Sequence, residues 1–249
     1  MNVVGIIPAR YASTRFPGKP LALIHGRSMI ERVYRQCQKS KSLSDVLVAT
    51  DDERIFEHVS EFGGTAVMTR TDHPSGTDRC AEVCDSLIKK PDVVINIQGD
   101  EPYIHPEQID LIAGNFVDSK TEVATLIKVI TDPADLSNSN VVKVVRQKKR
   151  SQALYFSRQQ IPYCDPQMVD AFLTEGQFFR HVGIYGYRSE VLAELTKLKP
   201  SDLESAEKLE QLRWLENGYT ISAVLTTYSG IGVDKPEDIQ LLESRFSAD

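Results

Sequence analysis

Cysteine is scarce in this sequence, and no two cysteines form a CxxC pair. The cysteine pattern therefore gives no support to a structural zinc site or a redox-active dithiol. We expect buried thiols instead, because an unpaired cysteine packs like a small apolar side chain. The four residues are Cys37, Cys80, Cys84 and Cys164, of which the second and third are spaced to share one face of a helix.

Long apolar runs and an excess of basic residues are also missing. No apolar run approaches the ~18 residues that a membrane-spanning helix needs, and the formal net charge of the chain is −6. Nucleic-acid surfaces use a basic stripe to neutralise phosphates, whereas the short basic stretch at residues 148–150 is typical of a solvated turn. The sequence predicts a soluble protein with neither a membrane nor a nucleic acid as partner. Since residues 1–5 lack the basic region and cleavage site of a secretory signal, we expect it to be cytoplasmic.

Short apolar runs and amphipathic stretches alternate in the N-terminal part of the chain. The runs are rich in β-branched residues, which suits strands covered on both faces of a parallel sheet. The predicted strands are residues 3–7, 46–49, 65–68 and 93–97, and the predicted helices are residues 29–38, 54–62 and 78–89. This order is typical of right-handed βαβ units. Thr50 and Glu53 match a capping box, which predicts Thr50 as the N-cap of the second helix.

The pattern changes after Pro106, where close-set runs favour antiparallel pairing. A helix at residues 107–116 precedes predicted strands at residues 123–130, 141–145, 153–156, 181–187 and 221–225. Residues 165–177 are predicted to be an irregular loop, and a capping box at Ser201 starts a helix that ends at Asn217-Gly218. A last helix begins at Pro236. We predict one domain over residues 1–249, with an inserted lobe at roughly residues 130–190.

Three cations, Arg10, Arg15 and Lys19, follow the first predicted strand in a proline-stiffened loop. The loop is not the phosphate loop of nucleotide hydrolases, because Ser13 stands in place of the first glycine and Pro20 in place of Ser/Thr. No G-x-G-x-x-G follows the strand either. Arginine forks and a lysine point charge suit a polyphosphate. The alternative is that the three cations only coat the surface.

Two acidic residues are candidate Mg²⁺ ligands. Asp100 follows the fourth predicted strand, where a carboxylate can hold the metal together with substrate phosphates, although a Gly-Asp turn is the simpler interpretation. Asp234 is a second candidate, and its alternative role is the N-cap of the last helix.

Other polar residues could surround a nucleotide or a sugar. Residues 75–79 precede the third helix and could bind a base or ribose, with capping by Ser75 or Thr77 as the alternative. Three further groups could line a sugar-acid pocket, with a solvated surface as the alternative: Arg158, His181 and the pair Glu210-Gln211.

Taken together, eight blocks of the sequence closely resemble the 3-deoxy-manno-octulosonate cytidylyltransferase (CMP-Kdo synthetase) family. They are residues 8–20, 49–51, 75–79, 98–102, 153–158, 180–188, 207–213 and 232–238. The resemblance implies a cytoplasmic, Mg²⁺-dependent homodimer that joins CTP and 3-deoxy-D-manno-octulosonate (Kdo) to give CMP-Kdo and pyrophosphate for lipopolysaccharide. It also implies an α/β, Rossmann-like nucleotidyltransferase fold with a mixed, mainly parallel sheet and a smaller dimerisation lobe.

The resemblance also implies roles for individual residues. Catalysis would rest on Lys19, Asp100 and Arg10. The nucleotide would be bound by Ala9, Arg10, Arg15, Lys19, Ser75, Gly76 and Gln98. The sugar acid would be bound by Arg158, His181, Tyr185, Glu210 and Gln211, and Mg²⁺ by Asp100 and Asp234. The sequence departs from the family pattern at Asp78, where glutamate is frequent, and in the loop 165–177.

Three alternatives remain open at this point. The acceptor could be the 8-amino analogue of Kdo or another 2-keto sugar acid. Asp51-Asp52 could form part of the metal-binding acidic motif of a glycosyltransferase, which would leave the cationic loop without a task. The chain could also be a nucleotide sensor that binds CTP without turning it over.

Overall fold

The computed structural model describes residues 1–12, 15–228 and 230–247, so Ser13 lies outside the described residues. The strands of the described chain are β1 (Val3–Ala9), β2 (Leu23–Ile24), β3 (Arg27–Ser28), β4 (Asp45–Thr50), β5 (Ala66–Met68), β6 (Val93–Asn96), β7 (Val123–Val129), β8 (Lys143–Arg146), β9 (Ala153–Ser157), β10 (Phe179–Arg188) and β11 (Ile221–Leu225). Its α-helices are α1 (Met29–Cys37), α2 (Glu53–Glu61), α3 (Gly76–Ser86), α4 (Pro106–Asn115), α5 (Pro133–Ser137), α6 (Val169–Thr174), α7 (Ser189–Leu195), α8 (Asp202–Glu207), α9 (Gln211–Glu216) and α10 (Pro236–Arg245).

The chain divides into two compact units. The first comprises Met1–Ala113 and Gly230–Asp249, and the second comprises Gly114–Ser229. Residues 130–190, the predicted lobe, fall within the second unit. The single-domain assignment itself stays a prediction.

The first unit has a parallel sheet in the order β6-β1-β4-β5, as its apolar runs predict. Strand β1 lies between two neighbours and is buried at all positions but Pro8. Because the four strands are parallel, their carboxyl ends lie at one edge of the sheet. Arg10, Asp51 and the segment after β6 therefore emerge at the same edge.

One predicted helix cap of the first unit is wrong, and the alternative role of Asp234 as a helix cap is not observed. Asp52, not Thr50, is the N-cap of α2, because Thr50 is still paired with Ala9 as the last residue of β4. Asp234 does not cap α10, which has Lys235 at the N-cap position. Instead, the Asp238 carboxylate accepts hydrogen bonds from the backbone N–H groups of Asp234 (2.8 Å) and Lys235 (2.9 Å).

The second unit has a mixed sheet. Strand β10 runs antiparallel to both β7 and β8, β9 pairs antiparallel with β8, and β11 pairs parallel with β7. The close-set runs after Pro106 thus form antiparallel pairs, as predicted. With the parallel strands of the first unit, they confirm the predicted α/β class with a mixed, mainly parallel sheet.

Two predictions for the second unit are wrong. Residues 165–177 are not irregular throughout, because α6 forms there and packs Phe172 and Leu173 into a cluster with Ile130 and Phe178. The helix that starts at the Ser201 capping box is also interrupted. Lys208 has a left-handed backbone (φ 55°), which ends α8 and makes α9 a separate helix. The predicted end at Asn217-Gly218 is confirmed.

Two further properties concern the described residues as a whole. All four cysteines are buried thiols outside any disulfide, as predicted. Among the helices of the described ranges, none has both the length and the apolar character needed to cross a membrane.

Candidate active site

A cleft of about 280 Å³ opens at the carboxyl ends of the strands in the first unit. Four segments form it: the end of β1, the cationic loop, the N-terminus of α3 and the segment after β6. Its lining residues are Pro8, Ala9, Arg10, Arg15, Lys19, Pro20, His73, Pro74, Ser75, Gly76, Arg79, Gln98, Gly99 and Asp100. The structure therefore brings together all seven residues predicted to bind the nucleotide, with Asp100 among them.

Lys19 is held between a carboxylate and a backbone carbonyl. Its Nζ donates hydrogen bonds to Asp100 Oδ2 (2.7 Å) and to Val233 O (2.9 Å). The loop turns towards this position at Gly18, which has a φ of +70° and lies against the Tyr11 ring. A Cβ at Gly18 would be 3.1 Å from that ring, so glycine is needed on both counts.

Asp234 forms an ion pair with Arg15, a second cation of the loop. Its Oδ1 lies 3.0 Å from Arg15 Nη2, and both side chains are more than half exposed. The neighbouring Val233 N–H donates to Asp100 O (2.9 Å), which ties the two acidic segments together. Each candidate metal ligand is thus paired with a cation that is predicted to bind the triphosphate.

The donor set fits Mg²⁺ with phosphate co-ligands. Mg²⁺ prefers hard oxygen ligands, and one or two carboxylates usually suffice when substrate phosphates complete the shell. In the described contacts Asp100 uses Oδ2 and Asp234 uses Oδ1, so each carboxylate retains a second oxygen. Within the described residues, no cluster of three or more His, Cys, Asp or Glu side chains offers a metal site that is complete without substrate.

The N-terminus of α3 closes tightly on the end of β1. Ser75 is the N-cap: its Oγ accepts from Asp78 N (3.3 Å) and donates to Asp78 Oδ2 (2.6 Å). A Cβ on Gly76 would lie 3.1 Å from Pro8 Cγ, and one on Gly99 would lie 3.0 Å from Pro8 O. The close approach of these segments thus depends on glycine, and it exposes helix N–H groups to an anion in the cleft.

Two further residues line the cleft: His73, which sequence reasoning missed, and Arg79, which the predicted segment 75–79 included without a role of its own. The buried Arg79 donates to Thr69 Oγ1 and to Asp51 Oδ2 (2.9 Å), and His73 Nε2 contacts the Glu82 carboxylate. Arg79 lies one helical turn after Ser75 on the same face of α3, which is a signal that could have found it.

The acidic pair Asp51-Asp52 is occupied by arginines. Asp51 binds Arg79, and Asp52 caps α2 and binds both Nε (2.9 Å) and Nη2 (2.7 Å) of Arg54. The hydrogen bond from the Arg54 side chain holds the pKa of Asp52 below its usual range. Both carboxylates of this pair are therefore engaged by arginine side chains.

The predicted sugar-acid residues lie in the second unit, where His181 and Tyr185 share β10. The two rings are 5.2 Å apart, and His181 Nε2 is 2.9 Å from Thr125 Oγ1. Burial lowers the pKa of His181 to about 3, so its imidazole is neutral at physiological pH. Burial also raises the pKa of Tyr185 well above its usual value, and the charge of Glu210 raises it further.

Helix α9 adds Gln211 to this region. Trp214, one turn after Gln211, packs edge-on against Tyr185 with ring centroids 5.1 Å apart. Among the described residues, neither Tyr185 OH nor Gln211 Nε2 has a hydrogen-bond partner, although both are buried. Unpartnered buried polar atoms are rare in folded proteins, and a polar ligand would satisfy them.

The guanidinium group of Arg158 forms hydrogen bonds with backbone carbonyl groups of the second unit. It donates to Glu207 O (2.7 Å), Ser139 O (3.0 Å) and Lys208 O (3.4 Å). An arginine has five N–H donors. Arg158 therefore keeps donors beyond these three contacts.

Comparison with known proteins places these sites in a family. The family model described as "Cytidylyltransferase" matches residues 4–221. A 3-deoxy-manno-octulosonate cytidylyltransferase from Cytophaga hutchinsonii is 52% identical, covering 96% of this chain and 95% of the relative. One from Parabacteroides distasonis is 51% identical, covering 96% of each chain. The chain belongs to the 3-deoxy-manno-octulosonate cytidylyltransferase family.

The fold agrees with that membership. A solved CMP:2-keto-3-deoxy-manno-octonic acid synthetase in complex with CTP superposes with a TM-score of 0.91, at 41% identity and covering 98% of both chains. The predicted family and its Rossmann-like nucleotidyltransferase fold are therefore confirmed, and the chain is a nucleotidyltransferase. The roles predicted for individual residues stay predictions.

Proposed function

We propose that this protein transfers the cytidylyl group of CTP to Kdo, giving CMP-Kdo and pyrophosphate for lipopolysaccharide synthesis. The observation that carries the proposal is the gathering of Arg10, Arg15, Lys19 and Asp100 around one cleft beside the N-terminus of α3. Three cations and a helix N-terminus suit a triphosphate. The solved relative with CTP bound supports the choice of nucleotide.

In the proposed reaction, the anomeric hydroxyl of Kdo attacks the α-phosphorus of CTP. The new oxygen–phosphorus bond forms as the bond to the β-phosphate oxygen breaks, and pyrophosphate and the hydroxyl proton leave. Catalysis of this kind rests on positioning and charge stabilisation. Lys19 and Arg10 would oppose the negative charge that grows on the α-phosphate and pyrophosphate, and Arg15 would hold the triphosphate.

Asp100 and Asp234 are the proposed ligands of Mg²⁺. When bound, the ion would neutralise phosphate charge and lower the pKa of the attacking hydroxyl. Because Lys19 and Arg15 pair with these same carboxylates, they lie next to the position that the phosphates would take. The exposed Arg15–Asp234 pair contributes little stability, so its members can readily change partners.

We propose the second unit as the source of the Kdo-binding groups. Tyr185 OH and Gln211 Nε2 would gain the hydrogen-bond partners that they lack in the described structure. The remaining guanidinium donors of Arg158 suit the sugar carboxylate. His181 and Glu210 complete the proposed set.

A single assay tests the proposal. The protein is mixed with Mg²⁺, each nucleoside triphosphate and each candidate sugar acid, and pyrophosphate and nucleotide sugar are quantified. We expect pyrophosphate only when CTP and Kdo are both present. Faster turnover of the 8-amino analogue would favour that acceptor, release of CMP or UDP would indicate a glycosyltransferase, and CTP binding without turnover would indicate a sensor.

Two further properties are proposed on the basis of the family resemblance. The protein would be a cytoplasmic homodimer, with twice the 27.9 kDa mass of the chain. Light scattering on the purified protein measures that mass, and a monomer at micromolar concentration would contradict it.

A further inference from the structure

The C-terminal helix α10 packs in one apolar cluster with two segments of the candidate active site, the cationic loop and the segment that carries Asp234. Its buried members are Ile24, Met29, Val233 and Leu242, and partly buried side chains that pack on them include Phe16 and Phe246. Phe16 belongs to the cationic loop, Val233 precedes Asp234, and Leu242 lies on α10. Packing in this cluster therefore couples α10 to the loop and to the acidic segment.

Val233 carries this packing into the polar site. Its carbonyl accepts the hydrogen bond from Lys19 Nζ (2.9 Å), and its N–H donates to Asp100 O (2.9 Å). Lys19 and Asp100 therefore contact each other directly and also through one residue whose side chain is completely buried. A shift of Val233 would move the acceptor of Lys19 and the partner of Asp100 together.

The C-terminal end of α10 contacts the chain just after the cationic loop and the chain just after Asp100. The backbone N–H of His25 donates to Glu243 Oε1 (2.8 Å), and His25 Nε2 donates to Phe246 O (2.8 Å). The Phe246 ring stacks on Tyr103, with centroids 4.0 Å apart and the planes inclined by 9°. His25 lies shortly after Lys19 in the sequence, and Tyr103 lies three residues after Asp100.

We propose that Leu242 and Phe246 of the C-terminal segment are positioning residues, which set the place of Val233 and so the geometry of Lys19 and Asp100. This inference rests on the proposed function, in which Lys19 and Asp100 take part in the reaction. Neither side chain lines the cleft. They act through the apolar cluster, because a change in its packing would shift Val233 and with it Lys19 and Asp100. A displacement of about 1 Å at a reacting group can lower the rate by about 100-fold.

The test compares two buried leucines, one from the core cluster of each unit. Leu242 lies in the cluster described above, and Leu173 lies with Phe178 in the cluster of the second unit. Leu242→Ala and Leu173→Ala both remove core packing, and both are expected to lower the melting temperature. At saturating CTP, Kdo and Mg²⁺, and well below both melting temperatures, we expect kcat to fall about tenfold or more in Leu242→Ala and less than about twofold in Leu173→Ala.

A second pair of variants covers the case in which Leu242→Ala does not fold. Phe246→Ala removes the stacking on Tyr103, whereas Phe246→Tyr retains an aromatic ring there. We expect kcat to fall in the first variant and to be restored in the second, with the KM for Kdo unchanged in both.

Two outcomes would overturn the positioning role. One is an equal loss of kcat in the two leucine variants, and the other is a normal kcat in Phe246→Ala. Both are measured against an active wild-type enzyme. A wild-type enzyme that releases no pyrophosphate from CTP and Kdo would instead overturn the proposed function, and the positioning proposal with it.

Discussion

The cleft of the first unit differs from the aromatic region of the second unit in how the polar side chains are paired. The aromatic region consists of His181, Tyr185, Gln211 and Trp214. In the cleft, charged side chains pair with each other: Lys19 with Asp100, and Arg15 with Asp234. In the aromatic region, His181 is neutral, while Tyr185 OH and Gln211 Nε2 are buried with no hydrogen-bond partner in the part of the chain that the structure describes. In the proposed function, the charged triphosphate would be recognised by exchange of ion pairs, and the sugar by hydrogen bonds that are strongest when water is excluded.

Removal of Mg²⁺ should have the largest effect, because the ion is proposed to act directly on the reacting phosphate and hydroxyl groups. It would affect the cleft and leave the aromatic region unchanged. With excess chelator, we expect no detectable release of pyrophosphate, and full recovery when Mg²⁺ is added back. Calorimetry of CTP binding with and without Mg²⁺ gives a second readout. Normal turnover in the metal-depleted protein would contradict the proposed role of Asp100 and Asp234.

Substitution of either partner of the Lys19–Asp100 pair should cause the second-largest loss of turnover. A preorganised charge contact is commonly worth about 100-fold in rate, so Lys19→Ala and Asp100→Ala should each lower kcat by about that factor or more. The matched controls are Lys90→Ala and Asp85→Ala, which break an exposed pair with a distance of 2.6 Å. Because exposed pairs contribute little, the controls should keep wild-type kcat and stability. A folded Asp100→Ala enzyme with near-normal turnover would exclude the metal assignment.

A smaller effect is expected from Tyr185→Phe in the aromatic region. Loss of one hydrogen bond to substrate should raise the KM for Kdo by about five- to tenfold and leave the KM for CTP unchanged. Because the hydroxyl is buried and has no hydrogen-bond partner among the described residues, its removal should not lower the free energy of unfolding. Tyr163→Phe, at a tyrosine that is 85% exposed, is the control. A changed KM for CTP would contradict the assignment of Tyr185 to the sugar.

No effect on turnover is expected from the neutral state of His181, which should instead make the stability of the fold depend on pH. Its pKa of about 3 in the folded protein lies below the ordinary value of 6.5, so the unfolded chain binds more protons between these values. The free energy of unfolding therefore falls as the pH drops below about 6.5, with this residue contributing at most about 1 kcal/mol per pH unit. Urea unfolding at pH 7, 6 and 5 should show a shallower decline in His181→Gln than in the wild type. Equal slopes would show that the pKa of His181 is not lowered in the folded protein.

Local patterns predicted much of the fold and the nucleotide cleft. Parallel strands such as β1 and β4 are buried along most of their length, so they appear as continuous apolar runs that need no tertiary information. Arg10, Arg15 and Lys19 were predictable because they follow one strand closely in sequence. The predicted cap at Thr50 was wrong, and the alternative role of Asp234 as a cap is not observed. Strand pairing at Thr50 and the Asp238 carboxylate bound to Asp234 N decide where α2 and α10 begin.

The sequence by itself determined the family, the alternation of strands and helices, and the residue types available to bind a triphosphate. Only the tertiary structure decided which partners those residues have. Asp51 is paired with Arg79, Lys19 with both Asp100 and Val233 O, and α10 packs against the cationic loop. The physical reason is distance along the chain: local propensity acts over a few residues, whereas Lys19 and Val233 are 214 positions apart and meet only when the sheet edge and the C-terminal segment fold together.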